Sequence, residues 1–599
     1  MELAKRKDVP EEMTWDLTAI YDDEAKLTAD LEKVRALTDE MEAAFKGKLS
    51  TAENILACLD RYRVWAELNE RAGNYVQLAS EVDFTDAALQ ERYAAFSRMY
   101  AQCSSRLRFI DSEILAGDEA VLRQAIAQGG PNRPYLEALL RQKPHQLQPE
   151  TERVLAALRP ALEAPYRIYN MAKLADMRFP SFRACGEDHP LGYSLFEDKY
   201  EYEPRTEVRR AAFRAFSEKL RAYENTTAAA YQAQVQGEKI LADQRGFSSV
   251  FDYLLFGHRV DHALYDRQID LIMEKLAPHM RRYAKLLQKV HGLDRMTYAD
   301  LKLAVDPGYV PRVTIEESKK YIMEGLSVLG PDYQEMIRAA YRERWVDFAQ
   351  NQGKSTGGFC ASPYGCHSYI LLSWHEGMSD VFTLAHELGH AGHFRACNAA
   401  QSIFGTDVSM YFQEAPSTMN ELLLAHHLLR TSTDKRFRRW VLDCMVGKTY
   451  YHNFVTHLLE AAYQREVYRI VDAGGGVQAE TLNRIMGEAL KKFWGDAVEL
   501  PEGAELTWMR QPHYYMGLYS YTYSAGLTVA TQACKRIEAE GAGAVEDWKR
   551  VLAAGGTKTP LELAQMAGVD ISTGAPLLDT IETVGGYIDE ICRLTEELE

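Results

Sequence analysis

The sequence predicts a mainly α-helical protein with one small β-sheet. The first observation is that apolar residues recur at steps of three and four along extended stretches, which places them on one face of a helix. In the first such stretch these residues are Leu27, Leu31, Val34, Leu37, Met41 and Phe45. The second observation is that segments with strand character are few and short. We therefore expect helices to form most of the core.

The predicted elements follow one another with few breaks. Ser50 and Glu53 have the spacing of a capping box, so a second helix is expected to begin there. Further stretches with helical periodicity cover residues 85–125, 205–245, 262–290 and 420–470. Segments with strand character cover residues 177–179, 358–360 and 368–374. These few segments are expected to provide one small sheet.

One irregular segment divides the predicted helices into two groups. Residues 179–204 contain Pro180, Pro190 and Pro204 together with Gly186 and Gly192. We therefore predict an N-terminal helical region over residues 1–200 and a larger helical region over residues 201–599. No flexible Gly/Ser linker separates them, so the two regions are expected to pack as one body.

The composition excludes several classes of protein. The chain has 599 residues and a formal charge of −17, whereas a general nucleic-acid binder needs a basic surface. No run approaches the ~18 uninterrupted apolar residues of a membrane-spanning helix, so no membrane partner is expected. The first residues lack the apolar stretch of a secretory signal. The nine cysteines are dispersed without a Cys-x-x-Cys pair, which favours reduced thiols and a cytoplasmic location.

The segment His386-Glu387-Leu388-Gly389-His390 predicts a metal site. On a helix, His386 and His390 share a face with Cβ atoms about 5–6 Å apart. Two imidazoles at this spacing can reach one tetrahedral ion at about 2.0–2.1 Å each. Glu387 is turned about 100° from His386, so its carboxylate is expected to act as a base toward a water activated by the metal, and not as a ligand. The small sheet is expected to lie near this metal site.

A third ligand normally comes from another element, and the candidates are Glu414 and Glu421. They are seven residues apart, on nearly the same helix face but separated by about 10.5 Å along the axis. Only one can reach the metal, and the other could hold the free N–H of a histidine. Their spacing does not choose between them. His393 lies on a similar face to His386 and is a further candidate. A metzincin is excluded because Gly and His are missing three and six residues after His390.

Several fragments carry a family resemblance. The histidine pair is followed by Glu414-Ala415-Pro416-Ser417, and the chain also contains Trp15-Asp16-Leu17, Arg245-Gly246-Phe247, Gly357-Gly358-Phe359-Cys360 and a Tyr-rich stretch from His513 to Tyr523. With these fragments the chain resembles the M3 (thimet oligopeptidase-like) zinc peptidases, and within them the oligoendopeptidase F branch. The resemblance spans most of the chain.

The resemblance implies one zinc ion per chain, held by His386, His390 and Glu414, with Glu421 as the partner of a histidine. It also implies a two-lobed helical body with a deep substrate channel and short peptides as substrates. Residues 201–599 would then form the catalytic zinc peptidase domain.

Besides the metal, a peptidase needs hydrogen-bond donors for the developing oxyanion and a surface that binds the peptide. By resemblance, the donors are His513, Tyr514 and Tyr521, whereas Tyr519 and Tyr523 are equally compatible with an aromatic core. Tyr519 is expected to lie apart from the reacting atoms. Gly357, Gly358 and Phe359 are predicted to form an edge strand, where the absence of side chains lets a peptide backbone pair alongside.

The leading hypothesis is a zinc endopeptidase that cleaves short peptides. An alternative within the class is a carboxypeptidase or dipeptidyl carboxypeptidase, which needs a group that binds the substrate's C-terminus. An alternative from another class is a metal-free helical scaffold that binds peptides through structural histidines. The sequence does not indicate an oligomeric state.

Overall fold

The computed structural model describes residues 3–599 and confirms a mainly α-helical fold. The helices of the first third are α1 (Glu24–Phe45), α2 (Ala52–Glu81), α3 (Ala87–Leu107), α4 (Phe109–Ala116), α5 (Glu119–Gln128), α6 (Arg133–Gln142), α7 (Pro149–Leu162), α8 (Ala164–Asn170) and α9 (Tyr193–Asp198). Those of the middle third are α10 (Thr206–Arg221), α11 (Glu224–Gln244), α12 (Val250–Phe256), α13 (His262–Leu271), α14 (Ala277–Val290), α15 (Ile315–Gly325), α16 (Pro331–Arg342) and α17 (Met378–Ala400).

The last third continues the helical body. Its helices are α18 (Ala415–Thr431), α19 (Lys435–Cys444), α20 (His457–Asp472), α21 (Ala479–Trp494), α22 (Tyr521–Glu540), α23 (Ala542–Ala554), α24 (Pro560–Met566) and α25 (Ala575–Leu598). A π-helical segment, Met445–Thr456, joins α19 to α20. Among the described residues, no helix is both long and apolar enough to cross a membrane.

The second helix begins one residue later than the capping signal predicts. Thr51, and not Ser50, caps α2, because the Thr51 side chain accepts a hydrogen bond from the backbone N–H of Asn54 at 3.2 Å. The two hydroxyl residues are adjacent, and both have a partner at the three-residue spacing that a cap requires. The sequence pattern therefore locates this helix to within one residue.

Two small sheets accompany the helices. The first is an antiparallel hairpin of β1 (Phe182–Ala184) and β2 (Glu187–His189), whereas residues 177–179, predicted as a strand, lie outside it. The second contains β3 (Val346–Asp347), β4 (Phe359–Ala361) and β5 (Tyr369–Leu371), in the order β3-β5-β4. Strand β5 pairs parallel to β3 and antiparallel to β4. The prediction of strands near residues 360 and 370 is confirmed, and β4 is an edge strand.

Buried apolar side chains form three clusters. One lies within residues 34–139, and the largest extends from Tyr169 to Leu594. The third joins the N-terminal residues Trp15 and Leu27 to Tyr369 and Leu371 of β5, and so fastens the N-terminal helices to the second sheet. The largest cluster begins at Tyr169, and the predicted boundary at residue 200 stays a prediction. The two-lobed outline and the deep channel stay predictions.

Candidate metal centre and reaction site

The predicted metal-binding histidines lie side by side on α17. The helix start is held by Asp380, whose carboxylate accepts hydrogen bonds from the backbone N–H groups of His375 and Gly377 at 2.7 and 3.1 Å. One turn apart, His386 and His390 have ring centroids separated by 5.1 Å. Their four-residue spacing therefore places both imidazoles on one face, as the sequence predicts.

A glycine between the two histidines lets the next helix approach. A Cβ at Gly389 would come within 2.6 Å of the Cα of Ser417, in the first turn of α18. Pro416 stands at the start of this helix, where its missing N–H leaves no hydrogen bond unmade. The close approach brings Glu414, the residue that precedes α18, to the histidine pair.

Three ligand atoms converge at this point. Oε2 of Glu414 lies 3.3 Å from Nε2 of His386 and 3.5 Å from Nε2 of His390. A tetrahedral zinc ion with N and O ligands at about 2.0–2.1 Å separates its ligand atoms by about 3.3–3.4 Å. The Ser417 hydroxyl donates to the same carboxylate oxygen at 2.9 Å and orients it. The residues present therefore fit a zinc ion, and His393 is not one of the three.

The second glutamate, Glu421, lies behind the first histidine. Its Oε1 is 2.6 Å from Nδ1 of His386, and its Oε2 accepts a hydrogen bond from the Thr449 hydroxyl at 2.7 Å. A carboxylate on Nδ1 fixes the ring orientation and directs Nε2 toward Glu414. The structure thus brings Glu414 to Nε2 of His386 and Glu421 to Nδ1 of the same ring. The spacing of the two glutamates did not distinguish these positions.

Glu387 is buried beside the edge strand. Its Oε2 has no hydrogen-bond partner among the described residues, and burial raises its pKa above the usual value. A Cβ at Gly358 would lie 3.4 Å from Oε1 of Glu387. Gly357 and Gly358 are exposed immediately before β4, and Phe359 begins that strand. An extended peptide paired with β4 would therefore pass close to this carboxylate.

The Tyr-rich stretch brings three rings together. The centroid of His513 lies 5.0 Å from that of Tyr519 and 5.6 Å from that of Tyr523, and the two tyrosines are 5.3 Å apart. Gly526, one turn after Tyr523 on α22, packs against Glu414, where an added Cβ would be 3.0 Å from the Glu414 Cβ. Burial raises the pKa of both tyrosines, and the charge of Glu414 adds to the effect. Tyr523 therefore lies on the face of α22 that packs against Glu414 at Gly526.

The structure does not bring Tyr514 and Tyr521 to this group. The Tyr521 hydroxyl lies 2.9 Å from Nδ1 of His258, and the side chain is fully buried. Tyr514 packs on Tyr463, with ring centroids 5.1 Å apart, and is also buried. On a helix a residue two positions away points to another side, so Tyr521 faces the core when Tyr523 faces the site. Tyr519, which we expected to lie apart, belongs to the group instead.

Two residues that the sequence analysis did not single out support His513 and Tyr523. The His457 ring stacks on Tyr523 at 4.0 Å, and its Nδ1 lies 2.8 Å from Oε2 of Glu460. The same carboxylate oxygen accepts a hydrogen bond from Ser520 at 3.0 Å and is 3.8 Å from Nδ1 of His513. Burial alone would raise the pKa of Glu460, but His457 and His513 lower it to about 2. In the sequence, the three-residue spacing of His457 and Glu460 was the signal that could have identified this pair.

Two family models match the chain. One described as Peptidase family M3 matches residues 199–583, and one described as Oligopeptidase F matches residues 113–179. The first includes all residues of the metal group and of the Tyr-rich stretch.

Relatives and solved structures resemble the chain over nearly its whole length. It is 28% identical to the oligopeptidase PepF of Bacillus subtilis, covering 99% of this chain and 89% of the relative. It is 26% identical to the plasmid oligoendopeptidase F of Lactococcus lactis subsp. cremoris, with 99% of each chain covered. The fold resembles a crystal structure from Chlamydophila abortus, with a TM-score of 0.88 and 22% identity over 99% of this chain and 100% of that one. It also resembles the oligoendopeptidase F of Enterococcus faecium, with a TM-score of 0.74 and 22% identity over 96% and 99% of the two chains.

Proposed function

Because the chain belongs to peptidase family M3, we propose that it is a zinc-dependent endopeptidase that hydrolyses short oligopeptides. The observation that carries the proposal is the convergence of His386, His390 and Glu414, with ligand atoms 3.3 and 3.5 Å apart. We assign one zinc ion per chain to these residues. The family membership argues against a metal-free peptide-binding scaffold.

The side chains around this position have distinct roles in the proposed reaction. A zinc ion held there would activate a water molecule and polarise the scissile carbonyl. Glu387 accepts the proton of the attacking water and passes it to the leaving amine. His513 and Tyr523 donate hydrogen bonds to the oxygen on which negative charge develops. Glu421 holds the His386 ring in place through Nδ1.

The edge strand β4 provides a surface on which the substrate can bind. Of the predicted substrate-binding residues, Gly358 lies next to Glu387, Gly357 precedes it and Phe359 begins β4. A peptide added to β4 would pair with their backbone groups by hydrogen bonds. Backbone pairing is independent of side-chain identity, which suits a peptidase that accepts varied sequences. The names of the relatives, oligopeptidase and oligoendopeptidase F, support short peptides and internal cleavage.

A cytoplasmic location completes the proposal. All nine cysteines lie in the described part of the chain and are free thiols there, as expected in a reducing compartment.

The first experiment tests whether the metal and Glu387 carry the reaction. We expect that a chelator abolishes cleavage of a quenched-fluorescence peptide and that added zinc restores it. Glu387→Gln should retain zinc and bind peptide but lose most of kcat. Loss of zinc from this variant, or a kcat close to that of the unaltered protein, contradicts the role of Glu387. Full activity without metal contradicts the proposed function.

The second experiment tests internal cleavage. A peptide library with free and amidated C-termini is digested, and the products are identified by mass spectrometry. Cleavage at internal bonds in both forms is expected. Release of C-terminal residues or dipeptides from the free form alone would assign a carboxypeptidase or dipeptidyl carboxypeptidase instead.

A further inference from the structure

A second set of potential metal ligands lies between α18 and α22, apart from the group around Glu414. His426 is on α18, and Cys534 and Glu538 are one turn apart on α22. Nδ1 of His426 is 2.9 Å from Oε1 of Glu538 and 3.6 Å from Sγ of Cys534. All three ligand atoms lie within 4.8 Å of one another.

The chemistry of the three atoms suits a tetrahedral ion. A thiolate, an imidazole and a carboxylate, at about 2.3, 2.0 and 2.0 Å, are common zinc ligands. With these bond lengths the sulfur and nitrogen ligands are about 3.6 Å apart, which is the observed separation of Cys534 and His426. The separation of His426 and Glu538 is shorter, and Glu538, the most exposed of the three, can move outward.

The other nitrogen of the His426 ring has its own partner. Nε2 of His426 is 2.7 Å from the hydroxyl of Tyr587 on α25. A histidine that binds a metal through one nitrogen commonly donates its other N–H to such an acceptor, which fixes the tautomer. With the proton on Nε2, the Nδ1 lone pair faces both Cys534 and Glu538. A carboxylate and a lone pair at 2.9 Å repel each other unless a proton or a cation lies between them.

An ion pair between protonated His426 and Glu538 is the simpler account of the 2.9 Å contact. It gives the Cys534 thiol no role, although the thiol is buried and directed at the same nitrogen. A cation between the helices would use all three side chains and would leave a fourth position open toward solvent on the Glu538 side.

We propose that His426, Cys534 and Glu538 bind a second zinc ion, which joins α18 to α22. On binding, the Cys534 thiol loses its proton to solvent, and the thiolate, the neutral imidazole and the carboxylate become ligands. The helix α18 also carries Glu421, and α22 carries Tyr523 and Gly526. The second ion therefore holds together the two helices that position residues of the proposed reaction site.

Cobalt(II) is the probe that separates the two sites. The group of His386, His390 and Glu414 contains no sulfur, whereas the second group contains Cys534, so a thiolate-to-cobalt charge-transfer band distinguishes the second site from the first. We expect the metal-free full-length protein to take up two equivalents of cobalt(II) and to show this band. Cys534→Ser should lose the band and one equivalent while keeping the other. Cys360→Ser, which removes a thiol from the edge strand β4, is the control and should retain the band.

Two conservative variants test the remaining partners without removing the sulfur. Tyr587→Phe removes the partner of Nε2 and should weaken uptake of the second equivalent by roughly 10–100-fold, the usual effect of removing such a partner. Glu538→Gln removes a charged ligand and should weaken uptake of the second equivalent at least as strongly. Circular dichroism and one remaining equivalent of metal show that each variant is folded. A single equivalent in the unaltered protein without a charge-transfer band, or a band unchanged in Cys534→Ser, would overturn the proposal.

Discussion

Gly389 lies so close to the first turn of α18 that a Cβ in its place would be 2.6 Å from the Cα of Ser417. Both helices at this contact position residues of the proposed metal group. His386 and His390 flank the glycine on α17, and Glu414 immediately precedes α18. The closeness of the two helix backbones therefore determines whether the carboxylate reaches the imidazoles.

Replacement of Gly389 by Ala should force α17 and α18 apart. We expect the free energy of unfolding to fall by about 1–3 kcal/mol, as for other overpacked sites, and zinc affinity to fall with it. Chemical denaturation and a zinc titration measure the two effects. Gly237→Ala is the matched control, because nothing lies within 4 Å of a Cβ at this position on α11. It should stabilise the protein by about 0.5–1 kcal/mol through helix propensity.

The two glutamates should differ in their effect on zinc. Glu414→Ala removes a proposed ligand and should abolish zinc binding at His386 and His390, while the equivalent proposed at His426, Cys534 and Glu538 remains. Glu421→Ala removes only the partner of His386 Nδ1 and should lower zinc affinity or activity by roughly 10–100-fold. Competition titrations with a chelating dye provide the affinities. The opposite order would identify Glu421 as the ligand.

The two tyrosines of α22 should differ in catalysis. Tyr523→Phe removes a proposed donor to the developing oxyanion and should lower kcat by about 10²–10³-fold with little change in KM. Tyr521→Phe should leave kcat nearly unchanged, because that hydroxyl is directed at His258. Steady-state kinetics on one peptide, with the zinc content of each variant checked, distinguishes them. Equal effects at the two positions would remove the proposed role of Tyr523.

Glu460 should act through His513. Its carboxylate is ionised, with a pKa lowered to about 2 by His457 and His513, and it lies 3.8 Å from Nδ1 of His513. Glu460→Gln removes this negative charge, which faces His513 without a direct hydrogen bond, and should lower kcat by about tenfold. In a His513→Ala background the same substitution should have almost no further effect on kcat. Additive losses in the double variant would mean that Glu460 acts independently of His513.

The helical class and the histidine pair could be predicted because both depend on local spacing. Apolar residues at steps of three and four define helix faces wherever the chain folds, and His386 and His390 share a face on any helix. The predicted cap at Ser50 was displaced by one residue to Thr51, because both hydroxyl residues have the spacing of a cap and Thr51 is the one that accepts from the helix, at the N–H of Asn54. The hairpin at β1 and β2 was missed, and its strands have only three residues each.

The Tyr-rich stretch shows where local spacing stops being informative. Tyr519, Tyr521 and Tyr523 alternate along five residues, and the sequence does not reveal where α22 begins. The structure starts the helix at Tyr521, so Tyr523 shares a helix face with Gly526, which packs against Glu414, and Tyr521 faces the core. Likewise, His426 lies more than a hundred residues from Cys534 and Glu538 along the chain, so the sequence does not show that the three side chains meet.

The sequence by itself therefore determined the fold class, the proposed metal-binding pair and the position of Glu387, because each depends on spacing within single helices. Tertiary structure alone decided that Glu414 lies between the histidines while Glu421 lies behind one of them, and which tyrosines stand beside the site. These outcomes depend on how closely α17, α18 and α22 approach one another. That distance is set by the packing of small residues such as Gly389 and Gly526 against backbone from distant parts of the chain.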